Sequence, residues 1–363
     1  MKQLLHEIRH NPLLWLLVFV PIVFVGEMLK PSAHTLLFVL SVLAIIPLAA
    51  LLSHATESVA AKTGDAVGGL LNATLGNLTE LVIALAALQA GEYTLVKASI
   101  AGAIVTNSLF MLGASFLLGG LKYHTQEYNR ASARLQAGLL FLATIALLIP
   151  SAVSQRESDS AHFAGQLSVA LSVLLIATYA LGLLFSLKTH REFFGSAEHA
   201  ASEEKPWPIG LALATLAGVT VLVALVSEVF VKSVQQAAIT FGMTQAFVGF
   251  IIVALVGAAA EMASAFSAAR KNRLDLSVGI ALGSATQIAL FVAPVLVLIS
   301  YVLGPSPMDL QFWPGAVVMM LIAAMTAALV TNSGRSAWFV GVLVLMVYLI
   351  FAMTLYLLPP RAA

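Results

Sequence analysis

Apolar runs of about 20 residues follow one another along almost the whole chain, and a helix of that length spans roughly 30 Å of hydrocarbon. With charges, Pro and Gly as punctuation, eleven runs are predicted: about 12–29, 34–60, 65–90, 94–120, 132–150, 161–187, 207–231, 244–269, 274–302, 310–331 and 336–358. The second is the least regular, because His54, Glu57 and Lys62 follow the strongly apolar stretch Leu36–Leu52. Composition agrees with a membrane setting. Only 10% of the residues are charged, whereas a soluble domain carries about 25%. Such a chain could not cover its own surface in water, so an all-α membrane protein in a lipid bilayer is expected.

The same composition narrows the function classes. Net charge is +1, and no basic stretch is interleaved with aromatics, so nucleic acid is not an expected partner. There is no cysteine, which excludes disulfides, thiolate metal sites and cysteine nucleophiles. No H-E-x-x-H or G-x-S-x-G occurs, and no Ser/His pair lies within the spans; neither an enzyme nor a bound cofactor is expected. The first run follows Lys2 and Arg9 as a signal peptide would. Lys30-Pro31-Ser32-Ala33 then replaces the small-residue cleavage pattern, so this run reads as a retained helix.

Orientation follows from the basic residues. With the N-terminus in the cytoplasm, the cytoplasmic segments hold Lys2, Arg9, Lys62, Lys122, Arg130, Arg134, Lys188, Arg191, Lys205, Arg270, Lys271, Arg273 and Arg335. The other side holds Lys30, Lys97, Arg156, Lys232 and Arg361. This asymmetry predicts a cytoplasmic N-terminus and a C-terminus on the opposite face.

Two segments resemble each other. Leu75-Gly-Asn-Leu-Thr-Glu80 is followed 22 residues later by Gly102-Ala103-Ile-Val-Thr-Asn107. Val256-Gly-Ala-Ala-Ala-Glu261 is followed 22 residues later by Gly283-Ser284-Ala-Thr-Gln287. Small residues recur in membrane helices for packing reasons, but two glutamates in register are not explained that way. The pattern predicts a segment 1–32 with one extra helix, a five-helix repeat over 33–187, a cytoplasmic linker at 188–206 and a second five-helix repeat over 207–363. Five is odd, so the halves cross in opposite senses and form inverted repeats. In secondary transporters of this architecture the site lies near mid-membrane where the halves meet.

Glu80 and Glu261 stand inside apolar stretches, beside Leu81-Val82-Ile83 and Ala258–Ala260. A charge at that depth costs at least about 2.5 kcal/mol, so each must be protonated, paired or bound to a cation. No Lys or Arg lies mid-span nearby. Protons and a metal cation remain. Ca²⁺ takes six to eight oxygens, and Asn77, Thr106, Asn107, Ser284 and Gln287 can supply them beside the two carboxylates. Gly76 and Gly257 precede each Glu by four residues, where local unwinding would free carbonyls. With no Cys, and no His near either Glu, a soft-metal site is not expected. Metal and protons would compete for the same oxygens, one divalent ion against two protons at minimum. Glu57 and Glu228, at matched points of the second and seventh helices, are candidates for a proton path or gate; the bland alternative is interfacial, solvated acids.

At these residues the chain resembles the calcium/cation exchanger superfamily, and within it the calcium–proton exchangers. Gly68-Gly-Leu-Leu-Asn-Ala-Thr-Leu-Gly-Asn-Leu-Thr-Glu80 looks like the first family signature and Lys97–Asn107 like its continuation. Gly283-Ser-Ala-Thr-Gln287-Ile-Ala-Leu-Phe looks like the second-half counterpart. The resemblance implies ten core helices plus one, Ca²⁺ held between Glu80 and Glu261, and gating by the second and seventh helices. Three positions depart from the pattern. Ala258 and Met262 stand where the family has Asn and His, and Ala103 stands where Ser is usual, so one side of the site is less polar.

Other features read as bland. The sequons at Asn72 and Asn77 fall inside a predicted span. His54, three residues before Glu57, reads as an interfacial side chain, and the linker with Glu192, Glu198, Glu203 and Glu204 as a solvated connector. The Met residues of the last two helices read as packing. The expected activity is exchange of Ca²⁺ for H⁺ at a prokaryotic plasma membrane, with a homo-oligomer left open. The alternatives are Na⁺-coupled Ca²⁺ exchange, exchange of Mn²⁺, Mg²⁺ or Na⁺/K⁺ against protons, and a passive cation channel.

Overall fold

A computed structural model describes residues 7–9, 11–63, 65–153, 160–190 and 206–357. The linker acids Glu192, Glu198, Glu203 and Glu204 fall outside these, as do residues 1–6 and 358–363. The helices are α1 (Pro12–Leu29, opening in a 3₁₀ turn), α2 (His34–Lys62), α3 (Asp65–Leu75), α4 (Leu78–Gln89), α5 (Tyr93–Tyr123), α6 (Arg130–Val153) and α7 (Ser160–Leu184). After the linker come α8 (Ile209–Thr240), α9 (Gln245–Gly257), α10 (Ala259–Arg270), α11 (Leu274–Ile299), α12 (Pro314–Val330) and α13 (Trp338–Leu357).

Among the described residues nine helices are long and apolar enough to cross a membrane, and the pair α9–α10, bent by 59°, makes a tenth. The expected run at 65–90 is not one helix. It breaks at Gly76-Asn77 into α3 and α4, as the eighth run breaks at Ala258. Outward-facing side chains on the peripheral helices are apolar: Leu142, Leu181 and Leu329 are 64%, 65% and 74% exposed. Contiguous exposure of that kind suits lipid, not water.

The long helices α2 and α8 pack along each other, and α5 crosses α9 closely. Gly102 permits that crossing, since a Cβ there would stand 2.1 Å from the Phe250 carbonyl oxygen. Both α5 and α11 contain a π turn in the middle, Thr106–Met111 and Ile288–Val292. Such a turn widens the helix locally and re-aims the side chains around it.

Opposite ends of the bundle are tied by reciprocal contacts. At one end the strand β1 (Thr125–Glu127) pairs antiparallel with β2 (Arg335–Ala337). The β1 region also holds the α10–α11 turn: Gln126 Nε2 donates to the Ala269 carbonyl at 2.9 Å, and the Asn129 N–H to Asp275 at 2.7 Å. At the other end the segment after α11 holds the α4–α5 turn. Tyr93 OH donates to the Ser306 carbonyl at 2.5 Å, and Lys97 Nζ meets Asp309 Oδ1 at 2.5 Å. Thus the connection leaving α5 clasps the second half's turn, and the connection leaving α11 clasps the first half's.

Candidate ion-binding site

The two helix breaks place Glu80 and Glu261 in the first turns of α4 and α10. Free N–H groups and the positive end of the helix dipole there favour negative charge. Glu80 packs against the backbone at Gly257, four residues before Glu261, because Gly257 has no side chain: a Cβ at that position would lie 2.9 Å from Glu80 Cγ. Glu80 and Glu261 lie within electrostatic reach of each other, and Ser284 is hydrogen-bonded to Glu261. Across the same plane Asn77 Nδ2 donates to Gln287 Oε1 at 2.6 Å.

Five of the expected residues, Glu80, Glu261, Asn77, Ser284 and Gln287, therefore converge. Thr106 and Asn107 are fully buried on α5 at the start of its π turn. Thr106 Oγ1 stands 3.3 Å from Tyr348 OH. Glu80 Oε1, Glu261 Oε2, Asn77 Oδ1 and both amide atoms of Asn107 are buried without a protein partner. Buried polar atoms are normally satisfied, so a layer of unsatisfied oxygens points to something bound there, proton or cation. Among the described residues no three of the His, Asp and Glu side chains cluster as a metal centre. Two carboxylates are thus the charge available, supplemented by neutral oxygens of the kind a hard cation accepts.

Two cavities reach this layer, and one, of about 490 Å³, is bordered by Asn72, Gln136, Tyr179 and Gln287. A cavity of about 380 Å³ opens between α2 and α10, lined by Ser53, Glu57, Ser264, Ser267 and Lys271, and reaches Ala260 beside Glu261. Glu57, which accepts from Ser53 Oγ at 3.4 Å, also lies within electrostatic reach of Glu261. Glu80 borders a void of about 10 Å³, with Ser99, Ala103 and Val253. Glu228 is exposed on α8 and is not part of the cavity wall. His54 lies in the wall of the 380 Å³ cavity, 3.2 Å from Glu7 and with its ring centroid 4.4 Å from that of Trp207, the rings tilted by 40°.

Ala258 and Met262 are both buried and face apolar neighbours, so the second half contributes no counterpart of Asn77. Sequence reasoning missed Tyr348, which contacts Thr106 from the last helix. A single tyrosine in an apolar run carries no signal of which way its hydroxyl points.

Comparison with known proteins identifies the family of the chain. The family model described as sodium/calcium exchanger protein matches twice, at residues 33–188 and 211–357. A Ca²⁺/H⁺ antiporter of Aphanothece halophytica is 40% identical over 359 residues, covering 95% of this chain and 96% of that protein. The Ca²⁺/H⁺ antiporter ChaA of Bacillus subtilis is 41% identical over 344 residues, covering 93% and 97%. The crystal structure of the Ca²⁺/H⁺ antiporter YfkE superposes with a TM-score of 0.79 at 36% identity, over 94% of this chain and 98% of that one. On this evidence the chain belongs to the sodium/calcium exchanger protein family.

Proposed function

We propose that this protein exchanges Ca²⁺ for H⁺ across a membrane by alternating access, with Glu80 and Glu261 binding the cation or protons in turn. The observation that carries the reading is a pair of carboxylates within electrostatic reach of each other, each with a buried unpartnered oxygen, in a chain about 40% identical over nearly its full length to Ca²⁺/H⁺ antiporters. Asn77, Thr106, Asn107, Ser284 and Gln287 complete the oxygen set in this proposal, and Glu57 lies on the route in.

A cation reaching the layer through the cavity displaces protons from the two carboxylates. Neutralised either way, the layer can pass from exposure at one face to exposure at the other. An empty, doubly charged layer cannot, because isolated charges in a low-dielectric interior are too costly. This coupling makes one Ca²⁺ per two protons the least stoichiometry. The reciprocal clasping of the two turns supports inverted repeats over 33–187 and 207–363. Counting α3–α4 and α9–α10 as one broken span each supports eleven crossings. The excess of basic residues supports a cytoplasmic side for the 380 Å³ cavity, whose lining includes Lys271 and Arg273, and the bacterial relatives support a prokaryotic plasma membrane.

The test is uptake of radiolabelled Ca²⁺ into proteoliposomes under an imposed pH gradient, with and without a Na⁺ gradient, and an interior pH dye. Proton-driven uptake with matching proton efflux is expected. Uptake driven by Na⁺ alone refutes proton coupling, and Ca²⁺ flux without proton movement indicates a channel.

A further inference from the structure

We infer that Tyr348 and Tyr179 are a matched pair of positioning residues, each on the last helix of one half and each holding the π turn beside the ion layer in the other half. The inference rests on the site proposed above. Phe110 stands eight residues after Gly102, and Phe291 eight residues after Gly283, the glycines that anchor the repeated motif. Both phenylalanines lie in π turns, Thr106–Met111 and Ile288–Val292. Tyr348, on α13, packs on Phe110 with ring centroids 5.1 Å apart. Tyr179, on α7, packs on Phe291 at 5.3 Å. The same aromatic bracket therefore occurs twice, each time with the tyrosine supplied by one half and the phenylalanine by the other.

The two hydroxyls act on either side of the layer. Tyr348 OH stands 3.3 Å from Oγ1 of Thr106, the first residue of its π turn and the neighbour of unpartnered Asn107. Tyr179 OH is hydrogen-bonded to Thr74. Thr74 donates its own proton to the Leu70 carbonyl at 2.8 Å, so its oxygen accepts from Tyr179. Thr74 is in the last turn of α3, just before the break that presents Asn77 and Glu80. Tyr179 thus links the end of α3 to the π turn that follows Gln287.

A hydroxyl is the informative part of each bracket. Tyr348 and Tyr179 are 3% and 7% exposed. At an apolar helix position phenylalanine would give the same ring packing without a polar atom to satisfy, so a buried tyrosine is favoured where its O–H has a partner to hold. A π turn is a rare, locally weakened piece of helix, and an ordered anchor at its start fixes where the next side chains point. The brackets would therefore set the geometry of Thr106, Asn107 and Gln287, and through them how tightly the cation is held.

The test uses Tyr348→Phe and Tyr179→Phe in the full chain, reconstituted and assayed by initial rates of radiolabelled Ca²⁺ uptake across a range of Ca²⁺ concentrations. Each variant should raise the KM for Ca²⁺ about three- to tenfold with kcat within about twofold of wild type, the pattern of lost cation binding. In a double-mutant cycle, Tyr348→Phe/Thr106→Val should be no worse than the poorer single variant, because both remove one contact. Wild-type KM in both Tyr→Phe variants, a fall in kcat at constant KM, or fully additive effects in the cycle would overturn the inference. Glu80→Gln assayed in parallel separates the two readings. Retained exchange in that variant removes the site itself, whereas an inactive Glu80→Gln beside a wild-type Tyr348→Phe removes only the brackets.

Discussion

The Asn77 carboxamide donates to the side-chain oxygen of Gln287 at 2.6 Å, joining positions 210 residues apart in sequence. One residue belongs to each half, so this bond crosses from one half to the other three residues before Glu80. Gln287→Ala would leave the Asn77 amide buried without a partner, a loss of about 1–3 kcal/mol. The expected outcome is a rise of about tenfold in the KM for Ca²⁺, measured by concentration-dependent uptake, with a smaller change in kcat. An unchanged KM would show that the bond does not shape the cation site.

The carboxylates themselves make the strongest prediction. Glu80→Gln and Glu261→Gln keep size and hydrogen-bonding capacity but cannot release a proton or bring negative charge to a cation. Each is expected to reduce exchange at least about a hundredfold, the scale set by losing a buried charged partner. Membrane insertion and a monodisperse size-exclusion profile should survive, since neither position needs its charge to pack. Near-normal exchange in either variant would take that residue out of the site.

Gly257 tests the closeness of the two halves. A Cβ at Gly257 would lie 2.9 Å from Glu80 Cγ, too short for any real contact. Gly257→Ala should therefore push the Glu80 side chain aside, abolish exchange and lower stability by about 1–3 kcal/mol, read as a fall in Tm. Shortening the opposing side chain in Gly257→Ala/Glu80→Ala should restore the Tm but not the exchange. If the double variant is no more stable than Gly257→Ala, the clash is elsewhere.

Access to the ion layer can be read directly, because the chain contains no cysteine. Ser264 lines the 380 Å³ cavity, while Ser99 borders the 10 Å³ void beside Glu80. A membrane-impermeant maleimide should modify Ser264→Cys when applied from the cytoplasmic side and should fail to modify Ser99→Cys from either side. Added Ca²⁺ should slow labelling of Ser264→Cys by occupying the route past Ala260. Labelling of Ser264→Cys only from the outer face would reverse the orientation drawn from the basic residues.

Much of the molecule is written locally. A helix satisfies all its backbone groups within one segment, and lipid tolerates almost nothing else, so apolar runs alone set the helices and their lengths. Periodic carboxylates in a twofold sequence pattern marked Glu80 and Glu261 for the same reason: a charge in hydrocarbon is too costly to be accidental. The run at 65–90 shows the limit. Its hydropathy is continuous, yet it breaks into two short helices at Asn77, whose side chain bonds Gln287 some 210 residues away, a partner that no local pattern reveals.

What the sequence determined, then, was the solvent, the count of apolar runs, the pairing of the halves and the two acids that cannot stay bare. Tertiary structure decided which oxygens turn toward those acids, that Gly257 makes room for Glu80, that Lys97 finds Asp309, and that tyrosines in the last helix of each half reach the opposite π turn. Hydropathy and spacing act within a segment, where a period of 3.6 residues suffices to place a face. Contacts between residues some 200 positions apart depend on how the described helices fill one volume, and no local pattern encodes that.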